Sequence, residues 1–332
     1  MNPPKCTEYD YIDFLVGTQR VYSCLEAERV QPSDKQMPSH DSINRLLYRL
    51  EPSSDPLWKE VEPHVEKTMG VLVIDDSTLD KMYSQKIELV SHHWSGKHHR
   101  VVKGINLISL LWTDGDSQLP CDYRVYAKDV DGLTKNDHFR AMLQQAKDRG
   151  FCPECVCFDS WYSSLENLKH IRDYGWMWLT RFKSNRLVNP DDTANRPLSE
   201  VEIAPQGTIV HLKGYGMVKI FKIVSQNGDT ECWATNNLEI DDLGIVKYTE
   251  WNWAIENYHR GIKQYCGIER AQVRGEKAQR NHIGLAIRAF LRLERFSFRT
   301  GYSWFETKTS IIREAVRAYL KNPFCCLQQS TA

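Results

Sequence analysis

The sequence predicts a mixed α/β fold, with a central β-sheet flanked by helices and helical regions at both ends of the chain. Short aliphatic runs, GVLVIDD at 70–76 and CVCFDS at 155–160, are typical of buried strands. Other segments, such as NDHFRAMLQQAKDRG and SSLENLKHIRDYG, carry apolar residues at helical spacing. At 332 residues and 41% hydrophobic content, the chain can form a sizeable core.

The elements follow one another in a defined order. Residues 1–69 are expected to be helical, because YDYIDFLVGTQRVYSCLEA and DSINRLLYRL have helix-spaced apolar residues. The strand at 70–76 is followed by three more strand candidates, KIELVSHHW, RVVKGINLISLLW and LPCDYRVYAKD. A helix then begins near Asn136, the expected N-cap, and stops at Gly150.

The character of the chain changes at about residue 184. A polar, turn-rich stretch precedes the alternating segments TIVHLKG, MVKIFKIVS and ECWATNN, which predict a β-rich insertion over 184–245. From 246 to 332 the chain is expected to be helical again. The sequence therefore divides into four regions: 1–69, 70–183, 184–245 and 246–332.

Charge is distributed unevenly along the chain. Formal net charge is zero, but from Glu256 onward there are 14 Lys and Arg against six Asp and Glu, which gives +8 there and −8 before it. This asymmetry favours one surface that binds a polyanion and a separate region rich in carboxylates.

The N-terminal stretch MNPPKCTEYDYIDF has no basic segment followed by an apolar run, so no signal peptide is expected. No apolar stretch approaches the ~20 residues that a membrane helix needs. Ten cysteines without an export signal are expected to stay reduced. These observations predict a cytoplasmic protein.

Three acids occupy notable places in this outline. Asp76 closes the first core strand, Asp159 closes the strand after the first long helix, and Glu256 lies on a helix beyond the β-rich insertion. Three strands, a helix, a strand and a later helix form the order of a ribonuclease H-like domain, in which such carboxylates converge. Two Mg²⁺ ions held by three acids can bind both the attacking and the leaving oxygen of a phosphodiester.

Each acid also has an ordinary interpretation. An Asp at a strand end is often a turn or cap residue, and Asp75 competes with Asp76 because a strand buried on both faces shows no alternation. Glu256 lies one helical turn from His259 and Arg260 and two turns from Lys263, a spacing typical of surface salt bridges.

The motifs around these acids resemble a known family. IDDST around Asp76, VVKGINLISLLW, FDSWYSS around Asp159, and WAIENYHRGIKQYCGIERAQVR around Glu256 are similar to bacterial insertion-sequence transposases of the DDE superfamily. The likeness is to the insertion-sequence-4 group and its insertion-sequence-701-like relatives, and it covers roughly residues 70–297. In that family a hydroxyl pair follows the first acid, as Ser77 and Thr78 follow Asp76, which favours Asp76 over Asp75.

The resemblance implies Asp76, Asp159 and Glu256 as catalytic metal ligands, with Mg²⁺ as cofactor and Mn²⁺ as a substitute. It implies cut-and-paste DNA transposition, in which element ends are cleaved and the freed 3′-OH attacks target DNA. Double-stranded DNA, namely terminal inverted repeats and target, would be the partner of a homodimer acting at a prokaryotic nucleoid. The signature Lys seven residues after the Glu is present as Lys263, whereas Thr249 and Asn252 replace the signature Tyr and Arg.

Several basic residues are candidates for DNA contact. Lys263, Arg260 and His259 follow the third acid on its helix, Lys97 and Arg100 lie in the basic turn SGKHHR, and Arg270 and Arg274 lie further on. The region 1–69 could hold a small DNA-binding unit. Two alternatives remain open: a ribonuclease H-like nuclease without strand transfer, and a catalytically decayed DNA-binding protein.

Overall fold

The computed structural model describes residues 5–32, 38–95, 100–224 and 230–325. The chain forms two compact units. The larger unit is Pro52–Arg260, and the smaller combines Met1–Glu51 with Gly261–Ala332. The N-terminal helices thus belong with the C-terminal helices, and the predicted boundary near residue 69 falls inside the larger unit.

The larger unit is built on a sheet of nine strands within the described residues. Its first six strands are β1 Val71–Asp80, β2 Ser91–Ser95, β3 Arg100–Thr113, β4 Leu119–Tyr126, β5 Cys155–Phe158 and β6 Trp178–Phe182. β1 pairs antiparallel with β3, which pairs antiparallel with β2 and β4. On its other side β1 pairs parallel with β5, and β5 pairs parallel with β6. The sheet is therefore mixed, with its parallel strands at the centre.

The predicted β-rich insertion contains the remaining strands, β7 Leu187–Val188, β8 Arg196–Pro197, β9 Thr208–Leu212, β10 Gly216–Val224 and β11 Thr230–Thr235. β7 and β8 form a small separate ladder. β11 pairs antiparallel with β6, and β10 and β9 follow in antiparallel order. Most of the insertion thus continues the main sheet beyond β6.

The helices of the larger unit are α4 Asp55–Val61, α5 Lys128–Asp131, α6 Lys135–Asp148, α7 Leu165–Asp173, α8 Asp242–Asn252 and α9 Ala254–Tyr265, whose last residues belong to the smaller unit. The expectation that Asn136 caps α6 is wrong. Thr134 is the N-cap, because its hydroxyl accepts from the Asp137 amide while the Asp137 carboxylate accepts from the Thr134 amide. Ser164 and Gly175 bound α7 as predicted.

Different helices cover the two faces of the central strands. On one face, the Cys157 thiol lies 4.0 Å from the backbone carbonyl of Tyr248 in α8. On the opposite face, Phe158 packs against Phe139 of α6, with ring centroids 5.2 Å apart. Because side chains alternate along a strand, any residue of β1 or β5 can be assigned to the α8 face or the α6 face.

The smaller unit is helical: α1 Glu8–Gly17, α2 Cys24–Arg29, α3 His40–Arg49, α10 Glu276–Thr300 and α11 Trp304–Lys321. α10 is buried along most of its length and packs against α1 and α3. Lys308 of α11 donates hydrogen bonds to the carbonyls of Leu15, Val16 and Thr18, so its ammonium caps the C-terminal end of α1. Among the helices that the structure describes, none is long and apolar enough to cross a membrane.

Candidate active site

Strand β1 presents two adjacent acids to opposite faces of the sheet. Ile74 of β1 is in register with Phe158 of β5, and the two strands are parallel. Asp75 and Asp159 each lie one residue beyond this pair, so they share a face of the sheet. Cys157, two residues before Asp159, identifies this face as the one that α8 covers. The first and second acids therefore meet where β1 and β5 run side by side.

Helix α9, which carries the third acid, packs on the same face. The cross-strand neighbour of Asp75 in β3 is Ser109, whose hydroxyl lies 3.5 Å from the hydroxyl of Tyr258 in α9. Tyr258 is fully buried and fixes α9 against the sheet. Glu256, half a turn earlier, is exposed in the first turn of that helix.

The electrostatics of Asp75 show that the acids converge. Its pKa is raised well above the usual range, because the carboxyl is buried and because the carboxylates of Asp76, Asp159 and Glu256 lie close to it. Asp75 therefore has Asp159 and Glu256 within electrostatic range, in addition to its chain neighbour Asp76. A carboxyl in this position favours either a proton or a bound cation.

Asp76 faces the other side of the sheet, which corrects the assumption that it points toward Asp159 and Glu256. Its carboxylate accepts hydrogen bonds from Asn106 at 2.8 Å, Lys135 at 2.7 Å and the Tyr162 hydroxyl at 2.9 Å. Burial alone would raise the pKa of Asp76, but Lys135 and these hydrogen bonds lower it. Asp76 is therefore an ionised carboxylate already satisfied by three donors.

Asp159 is paired with an arginine that the sequence analysis did not single out. Arg181 of β6 donates to Asp159 at 2.9 Å and to Glu231 of β11 at 2.8 Å. Burial would lower the pKa of Arg181, but the carboxylates of Asp159 and Glu231 together raise it. Arg181 thus connects the second acid to the insertion. The sequence does show a basic residue, Arg181, in the strand segment that follows Asp159. That Arg181 lies beside Asp159 follows only from the pairing of β5 with β6.

The salt bridges that the spacing around Glu256 suggested do not form. No described side chain makes an ion pair with Glu256, and Arg260 instead donates to Asn257 at 2.7 Å. Lys263, in the last turn of α9, lies 3.4 Å from Glu269. His259 is only 6% exposed, so it offers little surface for the DNA contact predicted for it. Arg260 is exposed and remains a candidate.

The other predicted DNA contacts are distributed over both units. Arg100 is exposed at the start of β3, and Lys97 lies outside the described residues. Arg270 and Arg274 are exposed in the loop between α9 and α10, in the smaller unit. Positive charges attract a polyanion over a distance, so these basic residues can do so without contacting the acids.

The donor set suits hard divalent cations. Asp75, Asp159 and Glu256 supply only carboxylate oxygens, which Mg²⁺ prefers, and a cation would relieve the repulsion around Asp75. Within the described parts of the chain, no three His, Cys, Asp or Glu side chains surround a single point closely enough to hold one ion. A two-ion arrangement needs only one or two carboxylates for each ion, with one acid shared.

Comparison with known proteins identifies the family of the chain. Residues 66–292 match the family model described as the transposase DDE domain. No curated protein sequence matches the chain. Among solved structures, the cryo-EM piggyBac transposase synaptic complex with hairpin DNA superposes with a TM-score of 0.54 at 11% identity, covering 98% of this chain and 74% of that one.

A second solved structure, the Drosophila P element transposase strand transfer complex, matches at 8% identity with a TM-score of 0.29, covering 97% of this chain and 88% of that one. The likeness to the piggyBac transposase concerns the fold, which here is a mixed sheet with helices at both ends of the chain. The family match spans well over half of the chain. The protein therefore belongs to the DDE-domain transposase family.

Proposed function

We propose that this protein cleaves DNA with divalent cations held by Asp75, Asp159 and Glu256, and that it joins the freed 3′-OH end to target DNA. The observation that carries the proposal is the position of Asp75, whose pKa is raised by the carboxylates of both Asp159 and Glu256. The sequence favoured Asp76 as the first ligand. Asp75 replaces it in this proposal, because Asp76 faces α6 and is held by three donors.

The strand order supports a ribonuclease H-like catalytic domain. The order β4–β3–β1–β5–β6, with an antiparallel β1–β3–β4 meander followed by two strands parallel to β1, is the arrangement expected of that fold. In it, an acid on β1 and an acid that follows β5 lie side by side, next to the helix that carries the third acid. The insertion between Asp159 and Glu256 then forms an extension of the sheet.

Each residue has a distinct part in the proposed reaction. When bound, Mg²⁺ would polarise the phosphodiester and activate the attacking water or hydroxyl. Asp75, whose pKa is raised by both Asp159 and Glu256, would be shared between ions. Asp159 has one carboxylate oxygen engaged by Arg181, which leaves the second oxygen for a cation. Arg181 would also offset negative charge as the DNA backbone approaches.

Transposition, rather than cleavage alone, is favoured by the family of the chain. The family model is a transposase domain, and the piggyBac structure is a synaptic complex with DNA. We propose that the substrates are the ends of an insertion sequence of the insertion-sequence-4 group, bound by a homodimer. Exposed Arg260, Arg100, Arg270 and Arg274, together with Lys263, would contact backbone phosphates.

The proposal is tested by nicking of supercoiled plasmid with Mg²⁺ or Mn²⁺. Wild type should nick, Glu256→Gln should not, and Glu250→Gln, an exposed acid on the preceding helix, should behave as wild type. Equal nicking by Glu256→Gln would refute the assignment of the acid site. A duplex with a pre-cut 3′-OH end then separates the activities, because a transposase joins that end to a second DNA and a simple nuclease does not.

A further inference from the structure

Arg181 is held between an acid that follows β5 and an acid on β11, the two neighbours of its own strand β6. Its two terminal nitrogens donate separately, one to Oδ1 of Asp159 at 2.9 Å and the other to Oε1 of Glu231 at 2.8 Å. A guanidinium is not deprotonated in a folded protein, so this positive charge is permanent. The second acid of the proposed site thus has a cationic partner that the protein itself supplies.

The position of Arg181 follows from the pairing of three strands. Thr180 of β6 is in register with Phe158 of β5, and the two strands are parallel. Arg181 and Asp159 each lie one residue beyond this pair, so they share a face of the sheet. On the other side of β6, Trp233 of β11 lies opposite Arg181, and the guanidinium carbon is 5.7 Å from its ring centroid, within the range of cation–π attraction. Arg181 is therefore confined from both sides.

Glu231 is fixed on the far side of the guanidinium. Its Oε2 atom accepts a hydrogen bond from the indole N–H of Trp233 at 3.0 Å, while its Oε1 atom accepts from Arg181. Trp233 is only 5% exposed, so packing fixes the indole in place. Both oxygens of Glu231 are thus engaged, and its negative charge is kept next to Arg181.

A fixed guanidinium opposes the binding of a metal cation at the same carboxylate. At the usual Mg²⁺–oxygen distance of about 2.1 Å, a cation on Asp159 would lie roughly 5–6 Å from the guanidinium. Like charges of one and two units at that separation repel enough to weaken binding roughly tenfold, even in bulk water. Glu231 reduces this repulsion, because it carries the opposite charge and because it engages the nitrogen that could otherwise form a second bond to Asp159.

We propose that Arg181 is an internal counter-ion of the acid site, which holds Asp159 in place and keeps cation affinity low, and that Glu231 limits this effect by drawing the guanidinium away from Asp159. This inference rests on the proposed cation-dependent function. Arg181 and Glu231 are positioning residues, because they act on a bound cation through Asp159. Through Glu231, the insertion tunes the affinity of the acid site for its cations.

The first test measures Mn²⁺ binding to the full chain without DNA, from the electron paramagnetic resonance signal of free Mn²⁺ at low salt. Arg181→Gln should bind Mn²⁺ roughly tenfold more tightly than wild type, and Glu231→Gln roughly threefold more weakly. Arg181→Met is a second neutral variant with the same expectation, whereas Arg181→Lys keeps the charge and should bind Mn²⁺ like wild type. If Arg181 only oriented Asp159, Arg181→Gln and Glu231→Gln would both weaken binding.

High salt, a double variant and a matched control identify the mechanism. Both shifts should shrink at high salt, because screening weakens interactions between partly exposed charges. In an Arg181→Gln background, Glu231→Gln should have a smaller effect than in wild type, because no guanidinium is left to draw away. The control is Arg196→Gln, which removes an arginine paired with Asp191 in the same insertion. Arg196 lies in the separate β7–β8 ladder, so its loss should leave Mn²⁺ affinity unchanged.

Thermal melting is a second readout that needs no catalysis. In EDTA, Arg181→Gln should lower Tm, because Asp159 loses the charge that offsets its repulsion by the neighbouring acids. At one fixed concentration, Mn²⁺ should raise Tm more in Arg181→Gln than in wild type, because stabilisation by a ligand grows with its affinity. An equal or smaller rise in Arg181→Gln would overturn the inference.

The proposed function and this inference fail in different ways. Mn²⁺ binding that Glu256→Gln does not reduce would show that the acids hold no cation, which overturns both. Mn²⁺ binding that depends on Glu256 but is unchanged or weakened by Arg181→Gln would overturn this inference alone. The acid site would then stand, with Arg181 as a structural link between β5 and β11.

Discussion

The adjacent acids of β1 can be distinguished by replacing each with asparagine. Asp75→Asn removes a carboxylate that three other carboxylates repel, so it should abolish cleavage while raising the stability of the metal-free protein. Two like charges about 8 Å apart repel by about 2 kcal/mol at an effective dielectric constant of about 20. A gain of about 1–2 kcal/mol corresponds to roughly 2–8 °C in Tm for a unit of this size.

Asp76→Asn should have the opposite effect on stability. Lys135, Asn106 and Tyr162 would lose a charged acceptor in a partly buried site. Losing such a network costs about 2–4 kcal/mol, and Tm should fall by roughly 4–16 °C. Some metal-dependent cleavage should remain, because the three proposed ligands are intact.

The pH dependence supplies an independent check. The pKa of Asp75 is raised in the folded state, so the stability linked to this group is greatest at low pH and is lost as pH rises from about 4 toward the folded pKa. Asp75→Asn should remove that loss. The pKa of Asp76 is lowered, so its contribution is present at neutral pH and is lost in acid, as pH falls through the folded pKa. Thermal melts in EDTA across pH, paired with plasmid nicking, measure both effects. Cleavage by Asp75→Asn, or a lower Tm for it than for wild type, would refute this reasoning.

Two further predictions concern the smaller unit. Arg270→Ala combined with Arg274→Ala should weaken binding of duplex DNA and reduce the slope of log K against log salt by up to about 1.8, since each lost phosphate contact contributes about 0.9. Lys59→Ala, which removes an exposed base on α4, is the control. An unchanged slope in titrations at several salt concentrations would exclude these contacts. Burial lowers the pKa of Lys308 to about 8. Between about pH 8 and 10.5 the unfolded chain therefore binds more protons than the folded one, and the free energy of unfolding should rise with pH by at most about 3 kcal/mol. Lys308→Met should abolish this rise in denaturant titrations, and a rise that persists in the variant would have to come from another group.

The sequence predicted the elements whose signals are local. The aliphatic run at 70–76 and the segment RVVKGINLISLLW form strands in the structure. Ser164 and Gly175 lie at the two ends of α7, as predicted. These predictions succeed because burial periodicity, capping and left-handed glycine conformations depend on a few neighbouring residues. The predicted cap of α6 was wrong because a competing local signal lies two residues earlier: Thr134 and Asp137 form a capping box, and Asn136 lies between them.

The site could be predicted only in part. The types and order of the acids are visible in the sequence, but the face on which each lies is not. Residues Val71–Ile74 of β1 are buried on both sides, so no alternation marks the odd or even positions. Arg181 meets Asp159 because β5 pairs with β6, and it meets Glu231 because β11 pairs with β6. Pairings between strands far apart in sequence depend on the whole fold and leave little local trace.

The Arg181 contact with both Asp159 and Glu231 has a consequence for modular exchange of the insertion. Glu231 comes from β11, so a chain from which residues 184–245 were excised would lose one of the two carboxylates that orient this guanidinium. It would also expose the hydrogen-bonding edge of β6, a site for unwanted association with another chain. Grafting a different insertion onto this scaffold would therefore require a strand paired with β6 that carries an acid two residues before the position opposite Arg181, where Glu231 precedes Trp233. A redesign of the insertion should therefore keep the contact of its acid with Arg181, because Arg181 also contacts Asp159.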